Sequence, residues 1–181
     1  MTWRRVGTIY LVLAALVSYF ALFERAPQLL DPAAAPPTAE RSLLRAGAED
    51  VMAVTFRRPG AEVRAVRAGG RWRVVEPAGA EIAPDLVAAA VATLTAGQVS
   101  EWMVEAAGRD LTTFGLATPA SEIEVTMRGE PERTVRVLLG ARNPTKTALY
   151  AKRDDAPAVY LVGLNVRYYE DLIFEAAARG G

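Results

Sequence analysis

The chain has 181 residues, 21 basic and 21 acidic side chains, a formal net charge of zero and a hydrophobic fraction of 51%. This length suits one folded domain with a short extension, and the hydrophobic fraction is typical of a packed protein rather than a disordered one. The net charge of zero also argues against a general nucleic-acid binder, because such proteins carry an excess of positive charge.

Cysteine and histidine are both absent from the sequence. Without them, a disulfide framework is excluded, and zinc, copper, haem and iron–sulfur centres lose their usual ligands. Nucleophile arrangements that need an imidazole base are excluded as well. We therefore expect no metal site and no cofactor.

The N-terminal segment contains an uncharged run of 18 residues over 6–23. As a helix it would span roughly 27 Å, close to the roughly 30 Å of bilayer hydrocarbon. Arg4 and Arg5 precede the run, and positive residues are retained on the cytoplasmic side. The pattern predicts a cytoplasmic N-terminus over 1–5, a single transmembrane helix over 6–23, and the remaining chain outside the cytoplasm.

Two other interpretations of this run stay open. A buried core helix is usually shorter and keeps a polar stripe, which this run lacks. A cleaved signal peptide needs small residues soon after the apolar run, whereas 33–35 lies about ten residues late. We favour the permanent anchor.

The residues after the run predict a spacer and then a domain. Prolines at 27, 32, 36 and 37 lie among alanines, a composition that favours semi-stiff, extended chain. We assign a Pro/Ala-rich linker to 24–46, a folded extracytoplasmic domain to 47–177 and a short tail to 178–181.

Within the domain, alternating apolar residues predict strands, and apolar residues at helical spacing predict helices. Turn residues separate the strands, among them Arg57 to Gly60 and the pair Gly69-Gly70. Each half of the domain reads as hairpins followed by one amphipathic helix. The predicted fold class is α+β, an antiparallel sheet with two helices on one face, and an internal duplication is compatible with it. The predicted strands are 51–56, 62–65, 71–75, 99–104, 123–127, 134–139, 149–151 and 159–162, and the predicted helices are 84–96 and 164–177.

The sharpest local motif lies between the two halves, with an aspartate before the turn and a glycine at its end. One interpretation is a partner-recognition loop. The other is a capped turn whose glycine adopts positive φ and whose leucine fills the core, which we favour because both residue types have strong geometric reasons. The motif residues are Asp110, Leu111, Phe114, Gly115, Leu116 and Pro119.

Together with Trp72, the first helix and the later strands, this motif resembles the bacterial domain of unknown function 4340 family over roughly 50–175. The most specific part is the Asp-Leu-x-x-Phe-Gly-Leu-x-x-Pro run, where the family commonly has tyrosine at the position of Phe114. The resemblance implies an envelope protein with an N-terminal anchor, often encoded near transporters of the gliding-motility ABC type, which agrees with the anchor in the inner membrane expected from the uncharged run. It implies no reaction and supplies no catalytic residues.

A small basic cluster is the candidate ligand site. Arg142, Asn143, Lys146 and Lys152 would suit an anion-binding loop facing lipid headgroups or polysaccharide. The alternative is an ordinary solvated loop between two strands, which we prefer since loops are normally polar and exposed.

Two acidic pairs, Glu101 with Glu105 and Asp154 with Asp155, are the candidates for catalysis. A glycosidase needs two carboxylates at a defined separation across a cleft. Asp154 and Asp155 instead lie in a predicted hairpin turn, where aspartate favours local hydrogen bonds.

We therefore expect a non-enzymatic binding or scaffolding module in the cell envelope, attached to the bilayer through 6–23 and acting beside a membrane protein. The alternative is an extracytoplasmic enzyme that uses carboxylates on glycans. We expect no nucleic-acid partner, and the sequence does not indicate an oligomeric state.

Overall fold

This computed structural model describes residues 42–96, 99–105, 110–129 and 131–180, together with Leu13, Leu16, Ser18 and Tyr19. The chain separates into two compact units, Met1–Pro37 and Thr38–Gly181. The four described residues of the first unit are helical. Among the described residues, no helix is both long enough and apolar enough to cross a membrane. The predicted transmembrane helix over 6–23 lies almost wholly outside the described residues, as does most of the predicted linker over 24–46.

The described part of the second unit contains eight β-strands, two α-helices and two short 3-10 turns. This confirms the predicted α+β class, and every predicted strand and helix of the domain is present, with ends that differ by a few residues. The strands are β1 (Val51–Arg58), β2 (Ala61–Ala68), β3 (Arg71–Glu76), β4 (Val99–Glu105), β5 (Ser121–Met127), β6 (Arg133–Arg142), β7 (Ala148–Arg153) and β8 (Ala158–Gly163). The helices are α1 (Pro84–Thr95) and α2 (Asn165–Arg179), and the 3-10 turns cover Ala48–Asp50 and Leu111–Phe114.

The strands form one antiparallel sheet in the order β3-β2-β1-β5-β6-β7-β8-β4. Gly69 and Gly70, which join β2 to β3, have φ values of +57° and +80°, as a two-residue hairpin turn requires. Strands β1 and β5 lie next to each other in the interior of the sheet. Beyond β1 come β2 and β3, and beyond β5 come β6, β7, β8 and β4. Strand β4 of the first half pairs with β8 at the far edge of the sheet, and the internal duplication stays a prediction.

The core lies on one face of the sheet, beneath both helices. Buried and half-buried residues alternate along β5, because successive side chains of a strand point to opposite faces. Helix α1 contacts β3, α2 contacts β2, and the two helices contact each other. Val87 and Val91 of α1 and Ile173 of α2 are buried in the same core as the inward residues of the strands.

The opposite face is exposed or half-buried over β1, β2, β3, β5 and β6, apart from the buried Thr55 and Gly140. We call it the open face. Its residues, which share a side by strand alternation and register, are Ala53, Thr55, Arg57, Glu62, Arg64, Val66, Ala68, Arg71, Arg73, Glu76, Glu122, Glu124, Thr126, Thr134, Arg136 and Leu138.

The predicted start of the domain at residue 47 is too late, because the entry segment 42–46 is part of the fold. Leu43 and Leu44 are 1% and 0% exposed and belong to the main core. The buried guanidinium of Arg153 donates from Nη1 to the carbonyl of Leu43 at 3.1 Å, which holds the segment in place. Two leucines between arginines carry no periodic signal, so the sequence pattern placed them in the linker.

Candidate functional site

The turn between the two halves is capped as its sequence predicts. Oδ1 of Asp110 accepts a hydrogen bond from the backbone N–H of Thr112 at 2.9 Å, and hydrogen bonds from Thr112 lower the pKa of Asp110. Gly115 ends the turn at φ +66°, the left-handed region that suits glycine. Leu116 follows it and is 2% exposed.

This turn lies directly on the end of β6, which explains two glycines at once. A Cβ on Gly115 would lie 2.8 Å from the backbone nitrogen of Ala141, and a Cβ on Gly140 would lie 2.3 Å from the carbonyl oxygen of Phe114. The ring of Phe114 meets that of Tyr150 on β7 edge-on, with centroids 5.0 Å apart. These contacts give the motif a packing role, in keeping with the structural interpretation.

Replacing Gly115 by alanine is expected to cost about 1–3 kcal/mol more than replacing Gly69, because the new methyl group must displace β6 backbone. Gly69 is a matched control: its φ is +57°, and a Cβ there would meet nothing within 4 Å. Alanine is unfavourable in the left-handed region in both variants. The difference between their free energies of unfolding therefore reports the close approach of residue 115 to β6. Urea unfolding followed by circular dichroism measures it, and equal losses would contradict the proposed docking of the turn.

The loop after β6 uses most of its polar atoms internally. Oδ1 of Asn143 accepts from the backbone N–H groups of Thr147 and Ala148 at 2.9 and 3.1 Å, and its Nδ2 donates to the hydroxyl of Thr145 at 2.8 Å. Asn143 therefore shapes the loop rather than facing a ligand. Lys146, at φ +59°, is exposed at the tip of the loop.

The predicted basic cluster is divided between the two ends of β7. Arg142 and Lys146 lie beside the start of β7, whereas Lys152 lies near its other end, opposite Val159. Nζ of Lys152 donates to the carbonyls of Arg153 and Ala156, both at 2.9 Å, and so closes the β7–β8 turn. The four candidate residues do not converge on one anion.

The acidic pair in that turn is engaged by arginine. Asp155 accepts from both Nε and Nη2 of Arg153 at 2.7 Å and also pairs with Arg133. Asp154 accepts from the backbone N–H of Arg136 at 3.0 Å. Glu101 and Glu105 lie on β4, whose side chains are outside the described part of the structure.

The hydrogen bonds from Arg153 lower the pKa of Asp155 from 3.8 to about 2. A carboxyl whose folded pKa lies below its unfolded value stabilises the fold above the unfolded pKa and loses this contribution as the pH falls toward the folded one. We expect Asp155→Asn to lower the free energy of unfolding by about 1–2 kcal/mol at pH 7 and by much less near pH 2. Urea unfolding at both pH values checks this, and an equal loss at both would contradict it.

A second charged cluster joins α2 to the sheet, and sequence reasoning missed it. Glu170 is fully buried, accepts hydrogen bonds from Arg58 at 2.9 Å and Ser121 at 3.1 Å, and forms an ion pair with Arg167 at 3.2 Å. Arg58 also pairs with Asp171 and lies 4.6 Å from the ring centroid of Phe174. These partners compensate the free-energy cost of burying the carboxylate. The cluster therefore holds α2 against the sheet, and we call it the clamp.

The open face carries a ladder of charges across four strands. Arg57 donates to Glu62 and to Glu124, both at 2.9 Å, and Arg136 lies 3.8 Å from Glu124 and 3.9 Å from Glu122. Such partly exposed cross-strand pairs each contribute little stability. Their joint effect is an ordered, polar surface. Within the described residues, no group of three or more potential metal ligands is gathered anywhere.

A family model described as a domain of unknown function (DUF4340) matches residues 72–175, more than half of the chain. The match confirms the resemblance drawn from the sequence and starts at Trp72 rather than near residue 50. Neither a curated protein nor a solved structure matches the chain.

Proposed function

Because this chain belongs to the family defined by the domain of unknown function DUF4340, we propose that it is a membrane-anchored binding or scaffolding module outside the cytoplasm. It acts with an envelope complex of the inner membrane, and the candidate complex is an ABC transporter of the gliding-motility type. The run over 6–23 supplies the anchor, and Arg4 and Arg5 set its orientation.

The observation that carries this proposal is the one-sided construction of the sheet. Both helices pack on one face, and the other face stays accessible over five strands. Natural sheets of this kind commonly keep one face solvated, so accessibility alone does not mark a face as a binding surface. Here the accessible face is also ordered by the ladder around Arg57 and Glu124, which makes it a preorganised surface for a protein partner.

No specific observation favours the alternative, a carboxylate-dependent enzyme that acts on glycans. A general acid needs a raised pKa, and burial without a charge partner is the usual cause. Asp155 has a lowered pKa, and the buried Glu170 forms ion pairs with Arg58 and Arg167. Both carboxylates are held as ion-pair partners.

Photo-crosslinking in intact cells tests the binding module. A photoreactive residue at Thr134 or Arg64 on the open face is expected to capture a membrane protein, identified by mass spectrometry. The matched control is Tyr168, which is 59% exposed on α2 and belongs to the helix layer. Capture at the open face well above the level at Tyr168 supports the proposal.

The same experiment has two outcomes that contradict it. Capture of no membrane protein at any of the three positions removes the scaffolding role. Capture at Tyr168 alone moves the binding surface to the helices and overturns the argument from the open face.

A further inference from the structure

Strand β3 lies at one end of the sheet and has an edge that no other strand of the described sheet covers. Strand β3 pairs with β2 on one side and, within the described sheet, with no strand on the other. Edge strands present alternate backbone N–H and C=O groups to whatever lies beside them, and extended peptides bind there by adding a strand. Trp72 and Val74 face the core at this edge, whereas Arg71 and Arg73 are exposed.

Three arginines and one carboxylate, Glu76, lie on the open face along β3 and the part of β2 opposite it, so this edge carries a net positive charge. Arg71 and Arg73 of β3 and Arg64 of β2 are exposed, and none forms an ion pair with a carboxylate of the described chain. Farther into the sheet, Arg57 and Arg136 are both paired with glutamates. The same face therefore neutralises its inner arginines and leaves those at the edge available.

A second copy of β3 fits this edge poorly. Antiparallel pairing must keep open-face residues opposite open-face residues, because a shift by one residue exchanges the two faces. Registers centred on Trp72 or Arg73 set arginine opposite arginine, and like charges directly opposite are unfavourable. A register centred on Val74 meets the irregularity at Val75, which is skipped in the β2–β3 register, and bulges disrupt pairing.

We propose that β3 binds an extended acidic segment of the partner protein, which adds to the sheet as a further antiparallel strand. Acidic side chains at every second position lie opposite Arg71 and Arg73, and the intervening apolar side chains lie on the side of Trp72 and Val74. The arginines thus select against self-association and for an acidic partner at the same time. This inference rests on the proposed function and specifies the partner's chemistry and its place of binding.

Fluorescence anisotropy on the full chain in detergent tests it with three labelled probes. The first is a short peptide of alternating Glu and Val, the second replaces Glu by Lys, and the third is the Glu–Val peptide with alternate backbone nitrogens methylated. We expect the first to bind about tenfold tighter than either of the others, a difference of about 1.4 kcal/mol. N-methylation removes backbone donors and leaves the charge unchanged, so it separates strand addition from electrostatic adsorption.

Charge reversal supplies the variant and its control. Arg71→Glu combined with Arg73→Glu is expected to reverse the preference so that the Lys–Val peptide binds more tightly. Arg142→Glu combined with Lys146→Glu makes the same change of charge at exposed positions beside β7 and is expected to keep the wild-type preference.

Equal binding of the methylated peptide, or an unchanged preference after reversal at Arg71 and Arg73, overturns the inference. Absence of binding by all three probes overturns it too. If crosslinking from Thr134 still captures a membrane protein, only the assignment to the β3 edge fails and the proposed function stands.

Discussion

Replacing Glu170 by alanine is expected to lower the free energy of unfolding by about 3–5 kcal/mol, the usual cost of breaking a buried ion pair from one side. The carboxylate is 0% exposed. Its removal leaves Arg58 and Arg167 without their shared partner, and their side chains are only 24% and 16% exposed. The hydroxyl of Ser121 loses its acceptor as well. Urea unfolding of the purified chain, followed by circular dichroism, measures the loss.

Asp171→Ala is the matched control, since Asp171 pairs with the same Arg58 from a side chain that is 46% exposed. Exposed pairs contribute about 0.2–1 kcal/mol, so the two acidic neighbours on one helix should differ by severalfold. A loss at Glu170 no larger than at Asp171 would show that the clamp between α2 and the sheet contributes nothing beyond a surface pair.

Replacing Leu44 by alanine is expected to cost about 2–5 kcal/mol, as large-to-small changes in a core do. Leu44 is 0% exposed and packs in the main core with Leu43. The segment is also held by the hydrogen bond from Arg153 to the carbonyl of Leu43, so it cannot readily move to fill the space. The same unfolding measurement reports the effect.

Val75→Ala is the control for this change, because Val75 is 37% exposed and surface substitutions usually stay within about 0.5 kcal/mol. If Leu44→Ala also stays within that range, the entry segment is a free linker and the domain begins near residue 47. A large loss instead shows that the segment 42–46 is part of the folded domain.

The hairpins and helices were predictable because their signals are local. Alternation along β5 and the glycines at 69 and 70 each act over a few residues, and the structure keeps them. The turn from Asp110 to Gly115 was readable for the same reason, since capping and positive φ depend on adjacent residues.

Contacts between distant residues were not predictable in this way. Arg58 was read as part of a turn, yet it ends β1 and meets Glu170, which lies 112 positions later. Nothing in the helical pattern of α2 distinguishes a buried glutamate from a solvated one. The basic cluster failed to converge for a related reason: Lys146 and Lys152 are close in sequence, but a strand rises about 3.3 Å per residue and separates them.

The central claim, that the folded domain lies outside the cytoplasm beside a membrane partner, is tested most directly by cysteine labelling. The chain contains no cysteine, so Tyr168→Cys places a single thiol at a position that is 59% exposed. A membrane-impermeant maleimide applied to intact spheroplasts is predicted to label this thiol without lysis. Labelling that occurs only after lysis would place the domain in the cytoplasm and contradict the account.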